Sequence, residues 1–358
     1  MPGPVAEVRM RAIVYERYGA PDLVHLRETE RPTPGDTEVL VRVRAASASP
    51  FDWHLMRGAP FLARLNHGLR RPKDPRLGAD LSGEVVSVGA KSSRFHPGDE
   101  VFGERTGSFA DYVSVPEDSL ALKPTNVSFE AAATVPISGV TALQALRDLG
   151  HVRPGQQVLI NGAAGGVGTF AVQIAKSFGA EVTAVCSTRN VDLVRSIGAD
   201  HVIDYLREDF TRNGLRYDLV IDAVGNRSVS DLRRTLRPQG ICVVVGFTTM
   251  FRLLAVVLQG KMVSRKGGVK IILKTMPINQ EGLLFMAGLL ESRKVVPVID
   301  RRFTLENVPQ ALEYLEEGHA QGKVVITIDP TTRAPPDLPM ELENRATTAR
   351  VVVEAIPL

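Results

Sequence analysis

Val158-Leu159-Ile160-Asn161-Gly162-Ala163-Ala164-Gly165-Gly166-Val167-Gly168 runs from an apolar strand candidate, through small residues, into a stretch with helical spacing. The helical stretch spans 167–178 and stops at Gly179, and a second strand candidate follows at 182–186. The small residues form an A-x-G-x-x-G pattern with Ala163 in the first glycine slot, followed by Gly165 and Gly168. Small side chains there let the backbone approach a pyrophosphate closely, and the helix N-terminus adds free N–H groups and partial positive charge. A lone glycine motif is weak. Strand, glycines, helix and second strand in this order over about 30 residues make a dinucleotide site a better reading than a glycine-rich turn.

Working outward, strand-like runs recur at 202–204, 219–222 and 241–245 with helical stretches between them. That alternation predicts an α/β domain with a doubly wound parallel sheet of the Rossmann type. Upstream, 9–120 reads as short strands and turns, with β-rich runs at 11–15, 38–45 and 81–88, and predicts a β-rich irregular barrel. An Arg- and Pro-containing insertion at about 57–75 reads as a surface loop, and a helical run from 128 to 149 is broken at Pro136. Past 261, helices are expected at 282–290 and 308–317 and strands at 295–299 and 323–328, with a flexible tail from 331 to 358.

The second strand also bears on which nicotinamide cofactor is used. An NAD site places Asp or Glu about 20 residues beyond the glycines to bind the ribose 2′-hydroxyl. Nineteen residues past Gly168 stands Ser187, followed by Thr188, Arg189 and Asn190. No carboxylate is there to repel a 2′-phosphate, and hydroxyls and a guanidinium are available to bind it. NADPH is the expected cofactor, held by Gly165, Gly166, Val167, Gly168, Ser187, Thr188 and Arg189.

Composition narrows the remaining classes. The 358 residues carry 43 basic and 40 acidic side chains, a balance that argues against nucleic acid as partner. Only Cys186 and Cys242 occur, which excludes a disulfide framework and a multi-cysteine zinc site and fits a reducing cytoplasm. The N-terminus lacks a secretory apolar core, and the most apolar region, 241–258, is interrupted by Gly246, Thr248, Thr249 and Arg252, so the chain reads as soluble.

From residue 10 to about 328 the chain resembles the medium-chain dehydrogenase/reductase superfamily, nearest its zinc-free quinone oxidoreductase branch of zeta-crystallin and reticulon-interacting types. The matching stretches are Gly78-Ala79-Asp80-Leu81-Ser82-Gly83-Glu84-Val85, His96-Pro97-Gly98-Asp99-Glu100-Val101, Ala163 to Gly168, and Gly322-Lys323-Val324-Val325. The resemblance implies a GroES-like barrel over 1–129, a Rossmann domain over 130–276, a return to the barrel over 277–330, and a cleft between the lobes for nicotinamide and substrate. Where the zinc enzymes of the superfamily place a first Cys, this chain has Ser49-Pro50-Phe51-Asp52. Their G-H-E motif reads Gly78-Ala79-Asp80, and their remaining Cys is best matched by Ser138. Tetrahedral zinc needs soft or imidazole ligands, so a zinc-free site is expected.

Without a Lewis acid, conjugate reduction of a quinone or an α,β-unsaturated carbonyl suits such a site, with a hydroxyl, imidazole or water supplying the proton. By resemblance His54 is the candidate donor or relay, Asp52 orients the turn, and Ser49 departs from the family's Asn. Thr141, Gly246, Phe247 and Lys323 are expected near the nicotinamide end and Tyr205 near the adenosine end, while Val191 replaces a lysine that some relatives turn to the 2′-phosphate. Two alternatives stand beside this reading: a zinc-free alcohol or carbonyl dehydrogenase, and a non-catalytic NADPH-binding protein. Relatives commonly form homodimers. The basic, apolar segment 250–276 is read as a core helix and strand or dimer contact in preference to a substrate gate or membrane-surface segment.

Overall fold

The computed structural model describes residues 9–328 apart from 60, 62–63, 249–251, 253, 261–267 and 274–275. The expected tail at 331–358 and much of the 250–276 segment lie outside the described residues.

Six parallel strands form the nucleotide-side sheet: β8 (Gln157–Asn161), β9 (Glu181–Cys186), β10 (His201–Asp204), β11 (Tyr217–Asp222), β12 (Leu236–Val244) and β13 (Lys270–Leu273). Their order is β10-β9-β8-β11-β12-β13, so the direction of winding reverses between β8 and β11. Both faces are apolar, as a parallel sheet covered on two sides requires. Val158, Ile160, Leu219 and Ile221 enter one buried cluster, while Leu159, Val220, Cys242 and Val244 enter another. Ligands bind outside the carboxyl ends of strands at such a reversal point. There Asn161 Nδ2 donates to Asp222 Oδ1 at 2.8 Å, tying β8 to β11 below the opening.

The second sheet gathers β3 (Glu38–Ala48), β4 (Asp80–Val88), β5 (Glu100–Glu104), β6 (Tyr112–Pro116), β7 (Leu120–Leu122), β14 (Ile299–Thr304) and β15 (Lys323–Thr327). Its path is β14-β15-β3-β4-β5-β7, with β6 on β3. The C-terminal strand β15 pairs antiparallel with β3, Val324 opposite Ala48 and Thr327 opposite Ala45, so the end of the described chain completes the N-terminal lobe. A hairpin of β1 (Arg9–Tyr15) and β2 (Val24–Glu30) joins this lobe through bridges from Ala12 to Ala110 and from Val14 to Arg76.

Two local expectations change. The strand expected at 295–299 is instead β14, Ile-Asp-Arg-Arg-Phe-Thr, which pairs on one side only and leaves Arg301 and Arg302 exposed. Its edge position removes the apolar signature on which the sequence reading depended. Pro136 does not merely break the 128–149 run. It opens a helix, Pro136–Leu143, where its missing N–H costs nothing, after a short helix Phe129–Ala133 capped by Ser128 Oγ on Ala131 N.

In the loop after β8 the backbone packs closely on itself. Gly162 sits at φ +83°, and a Cβ on Gly168 would lie 2.1 Å from the Gly162 carbonyl oxygen and 2.7 Å from Ala163 Cα. Gly168→Ala is expected to destabilise the fold by about 2–4 kcal/mol, because backbone atoms must move apart. Denaturant unfolding of the two proteins measures it, and an unchanged midpoint would contradict this packing.

Candidate active site

A cavity of about 520 Å³ opens at the reversal point between the lobes. One wall is the loop of Gly162 and Ala164 to Gly168, with Cys186, Ser187, Arg189 and Tyr205 beyond the ends of β9 and β10. The facing wall is Ala48, Ser49 and Pro50 at the end of β3, together with Ser138, Gly322 and Lys323. The lobes are locked together here: Gly322 N donates to Ala164 O at 2.8 Å, and Arg189 Nη2 donates to His319 O at 3.0 Å.

At the outer end the groups expected around a 2′-phosphate come together. Ser187, Arg189 and Tyr205 line the cavity. Thr188 does not; its hydroxyl donates to Asp204 Oδ2. That bond, with Leu206 N and Arg207, holds the Asp204 carboxyl below its ordinary range. The sequence reading missed Asn226 and Arg227, which line the cavity after β11. Arg227 stacks over the Phe210 ring at 5.0 Å and pairs with Asp209 at 3.3 Å. The rule that ligands sit beyond strand ends at the reversal point would have found them. Cys186 also faces the cavity, but burial pushes its thiol up to about 11, so it is a neutral thiol near pH 7.

The inner end rests on a buried ion pair. Lys323 Nζ lies 3.2 Å from Asp80 Oδ2 and 2.9 Å from Ser138 Oγ, with the Lys323 and Asp80 side chains 2% and 0% exposed. Asp80 Oδ2 also accepts from Ser47 Oγ at 2.8 Å, and Asp80 Oδ1 accepts from Ile137 N at 2.8 Å. Lys323 is therefore neither a surface lysine nor a free cation: its ammonium is spent on Asp80 and Ser138. Gly166 packs against its stem, where a Cβ would meet Lys323 Cδ at 3.3 Å.

Beside this pair, Ser49 caps the helix Pro50–Arg57, with Pro50 at its first position. Asp52 Oδ2 accepts from Ser49 N at 2.8 Å and from Ser49 Oγ at 3.0 Å. Asp52 is fully buried, and its pKa is pushed up to about 7, first by burial and then by the Asp80 charge. His54, two residues on, stacks on Trp53 at 3.9 Å and faces Phe247 at 5.4 Å. Burial pushes its imidazole pKa down. His54, Asp52, Thr141, Ala163, Gly246 and Phe247 do not themselves line the cavity. Among the described residues, no three His, Cys, Asp or Glu side chains are placed to share a metal ion, and no helix is long and apolar enough to cross a membrane.

The chain matches the family model of the alcohol dehydrogenase GroES-like domain over residues 35–125 and that of the zinc-binding dehydrogenase over 197–326. It is 35% identical to a chloroplastic quinone-oxidoreductase of Triphysaria versicolor, over 88% of this chain and 98% of that one. A 2-methylene-furan-3-one reductase of Solanum lycopersicum is 34% identical, over 88% and 79% respectively. The structure of the quinone oxidoreductase from Coxiella burnetii superposes with a TM-score of 0.80 at 31% identity, covering 90% of this chain and 100% of that one.

Lys323→Met is expected to destabilise the protein by about 3–5 kcal/mol, because it leaves a carboxylate buried without its cation. Adding Asp80→Asn should recover a large part of the loss. Denaturant unfolding of both variants measures the coupling, and simple additivity would show that the pair is not one unit.

Proposed function

Because the chain belongs to the medium-chain dehydrogenase/reductase superfamily, in its quinone oxidoreductase-like branch, we propose that it is a zinc-independent, NADPH-dependent reductase of quinones or α,β-unsaturated carbonyls. The observation that carries this reading is a single cavity with a phosphate-binding loop and Arg189 at one end, and hydroxyls and an ion pair at the other. NADPH, when bound, supplies the hydride.

The chain's residues divide the remaining work. Gly165 to Gly168 present backbone N–H groups at a helix start to the pyrophosphate, and Gly168 has no side chain to hold the backbone away. Ser187 and Arg189 meet the 2′-phosphate, with Tyr205 against the adenosine and Arg227 as a second guanidinium. At the inner end the Ser49 and Ser138 hydroxyls present polar hydrogens toward an acceptor's carbonyl oxygen, and Lys323 holds Ser138 in place. His54 and Phe247 stack on each other across the lobe boundary without lining the cavity.

A catalytic zinc does not fit these residues. The four ligand places hold Ser49, Ala79, Asp80 and Ser138, and the one carboxylate among them already binds the Lys323 ammonium. A dication would have to displace that ammonium and rely on two serine hydroxyls, which are poor zinc ligands. Two buried free thiols accord with action in a reducing cytoplasm.

Titration with NADPH and NADH separately should give tighter binding of NADPH, and Arg189→Ala should reduce that preference at least about tenfold, the worth of one charge-assisted hydrogen bond. Tighter NADH binding, or an unchanged preference in the variant, would contradict the assignment. Assays with quinones, enones and simple aldehydes should show NADPH oxidation with the first two classes.

A further inference from the structure

We propose that the buried Asp52 carboxyl holds the proton taken up by the reduced acceptor, and that the Ser49 hydroxyl delivers it. Ser49 would touch the substrate, and Asp52 would act through Ser49 from behind. The inference rests on the reductase reading and extends it to the proton, which the sequence reading assigned to His54.

The geometry is that of a two-member relay. Ser49 is 3% exposed and forms part of the cavity wall, and its Oγ lies 3.0 Å from Asp52 Oδ2. A hydroxyl can accept from one side while donating to the other. Behind it Asp52 has no route to the cavity except through Ser49: the residue is 0% exposed and does not line the opening. Its second oxygen, Oδ1, is buried with no hydrogen-bond partner. An ordinary capping carboxylate has water on that oxygen. Here the uncompensated oxygen favours the protonated acid.

The charges around Asp52 keep its titration near neutrality. Asp80 on β4 raises the pKa, whereas the Ser49 hydrogen bonds and Lys323 on β15 lower it, leaving it at about 7. Tyr15 on β1 is itself pushed up, first by burial and in small part by Asp52, so it stays a neutral phenol. On the same helix His54 is neutral at pH 7. Glu316, on the packed helix Val308–Glu316, is held 2.7 Å from Arg57. An acid with a pKa near the working pH is the best general acid.

The competing donors are worse placed. His54 Nδ1 is buried without a partner, and its lowered pKa leaves little imidazolium to donate. Lys323 is committed to Asp80 and Ser138.

The step balances. Hydride adds to the electron-poor carbon of the quinone or enone, and the displaced π pair settles on the carbonyl oxygen. That oxygen takes the Ser49 hydroxyl proton while the Asp52 O–H bond breaks and a new Ser49 O–H bond forms. Two electrons have come from NADPH and one proton from Asp52, which remains as a carboxylate held by Ser49 N–H and Oγ–H. After product leaves, water in the open cavity returns the proton through Ser49.

The test is kcat against pH with NADPH and a linear α,β-unsaturated ketone, alongside NADPH binding by fluorescence. Wild type should lose rate above a midpoint near pH 7, the value to which Asp52 is raised. Ser49→Ala should lower kcat by roughly 10²-fold and flatten that alkaline limb while still binding NADPH. Ser49→Thr, which keeps a hydroxyl, should restore most of the rate and the limb. Asp52→Asn, if it binds NADPH, should show the same flattening. An alkaline limb that persists in Ser49→Ala while wild type turns over overturns the relay alone. A wild type that oxidises NADPH with no quinone or enone overturns the reductase reading and the relay with it.

Discussion

The Asp80 carboxylate is the interaction on which the geometry of this site depends. Its two oxygens take hydrogen bonds from Ser47 on β3, Lys323 on β15 and the backbone of Ile137 at the start of the helix Pro136–Leu143. A carboxylate and an ammonium with almost no exposure are costly to desolvate, and the cost is offset only when every lone pair and proton has a partner. That demand fixes three segments distant in sequence to within hydrogen-bond tolerance. The same lysine follows Gly322, whose N–H donates to the carbonyl of Ala164, so the glycine loop after β8 is registered against the floor of the cleft. The ion pair also sets the electrostatics of its neighbour: Asp80 raises Asp52 and Lys323 partly compensates.

The cavity is therefore polarised along its length. Guanidinium groups of Arg189 and Arg227 stand at the outer end, where a dinucleotide carries its phosphates, and hydroxyls of Ser49 and Ser138 stand at the inner end. Among the described residues lining the inner end, the one cation, Lys323, is paired with Asp80. A neutral acceptor such as a quinone or enone meets polar hydrogens there without a strong competing anion site. Cys186, at the wall but protonated, contributes volume and polarisability and no nucleophile.

The parts legible in the sequence were those encoded by local pattern. Strand 158–161, the glycines and the alternation of 219–222 with 182–186 report their own neighbours, so the parallel sheet and the glycine loop leading into a helix followed directly. The parts missed depend on contacts between distant segments. The edge strand β14 has Arg at two central positions because only one side pairs. The sequence places Lys323 near the nicotinamide end but not its ion pair with Asp80, which forms only when β15 pairs with β3 and brings together residues 243 positions apart. Asp52 reads as a residue that orients a turn, and only burial beside Asp80, from a strand distant in sequence, turns it into a buried acid. Arg227 had no motif to announce it, but its place after a strand at the reversal point was open to topological argument.

In the proposed reaction, hydride passes from NADPH to an electron-poor carbon and a proton is drawn from water by way of the protein. Reduction of an enone with NADPH carrying deuterium at the transferable C4 position, followed by mass spectrometry and NMR of the product, tests it directly. One cofactor deuterium is expected at the β carbon and one solvent hydrogen at the α carbon. Product without cofactor deuterium, or NADPH left unoxidised, would contradict it.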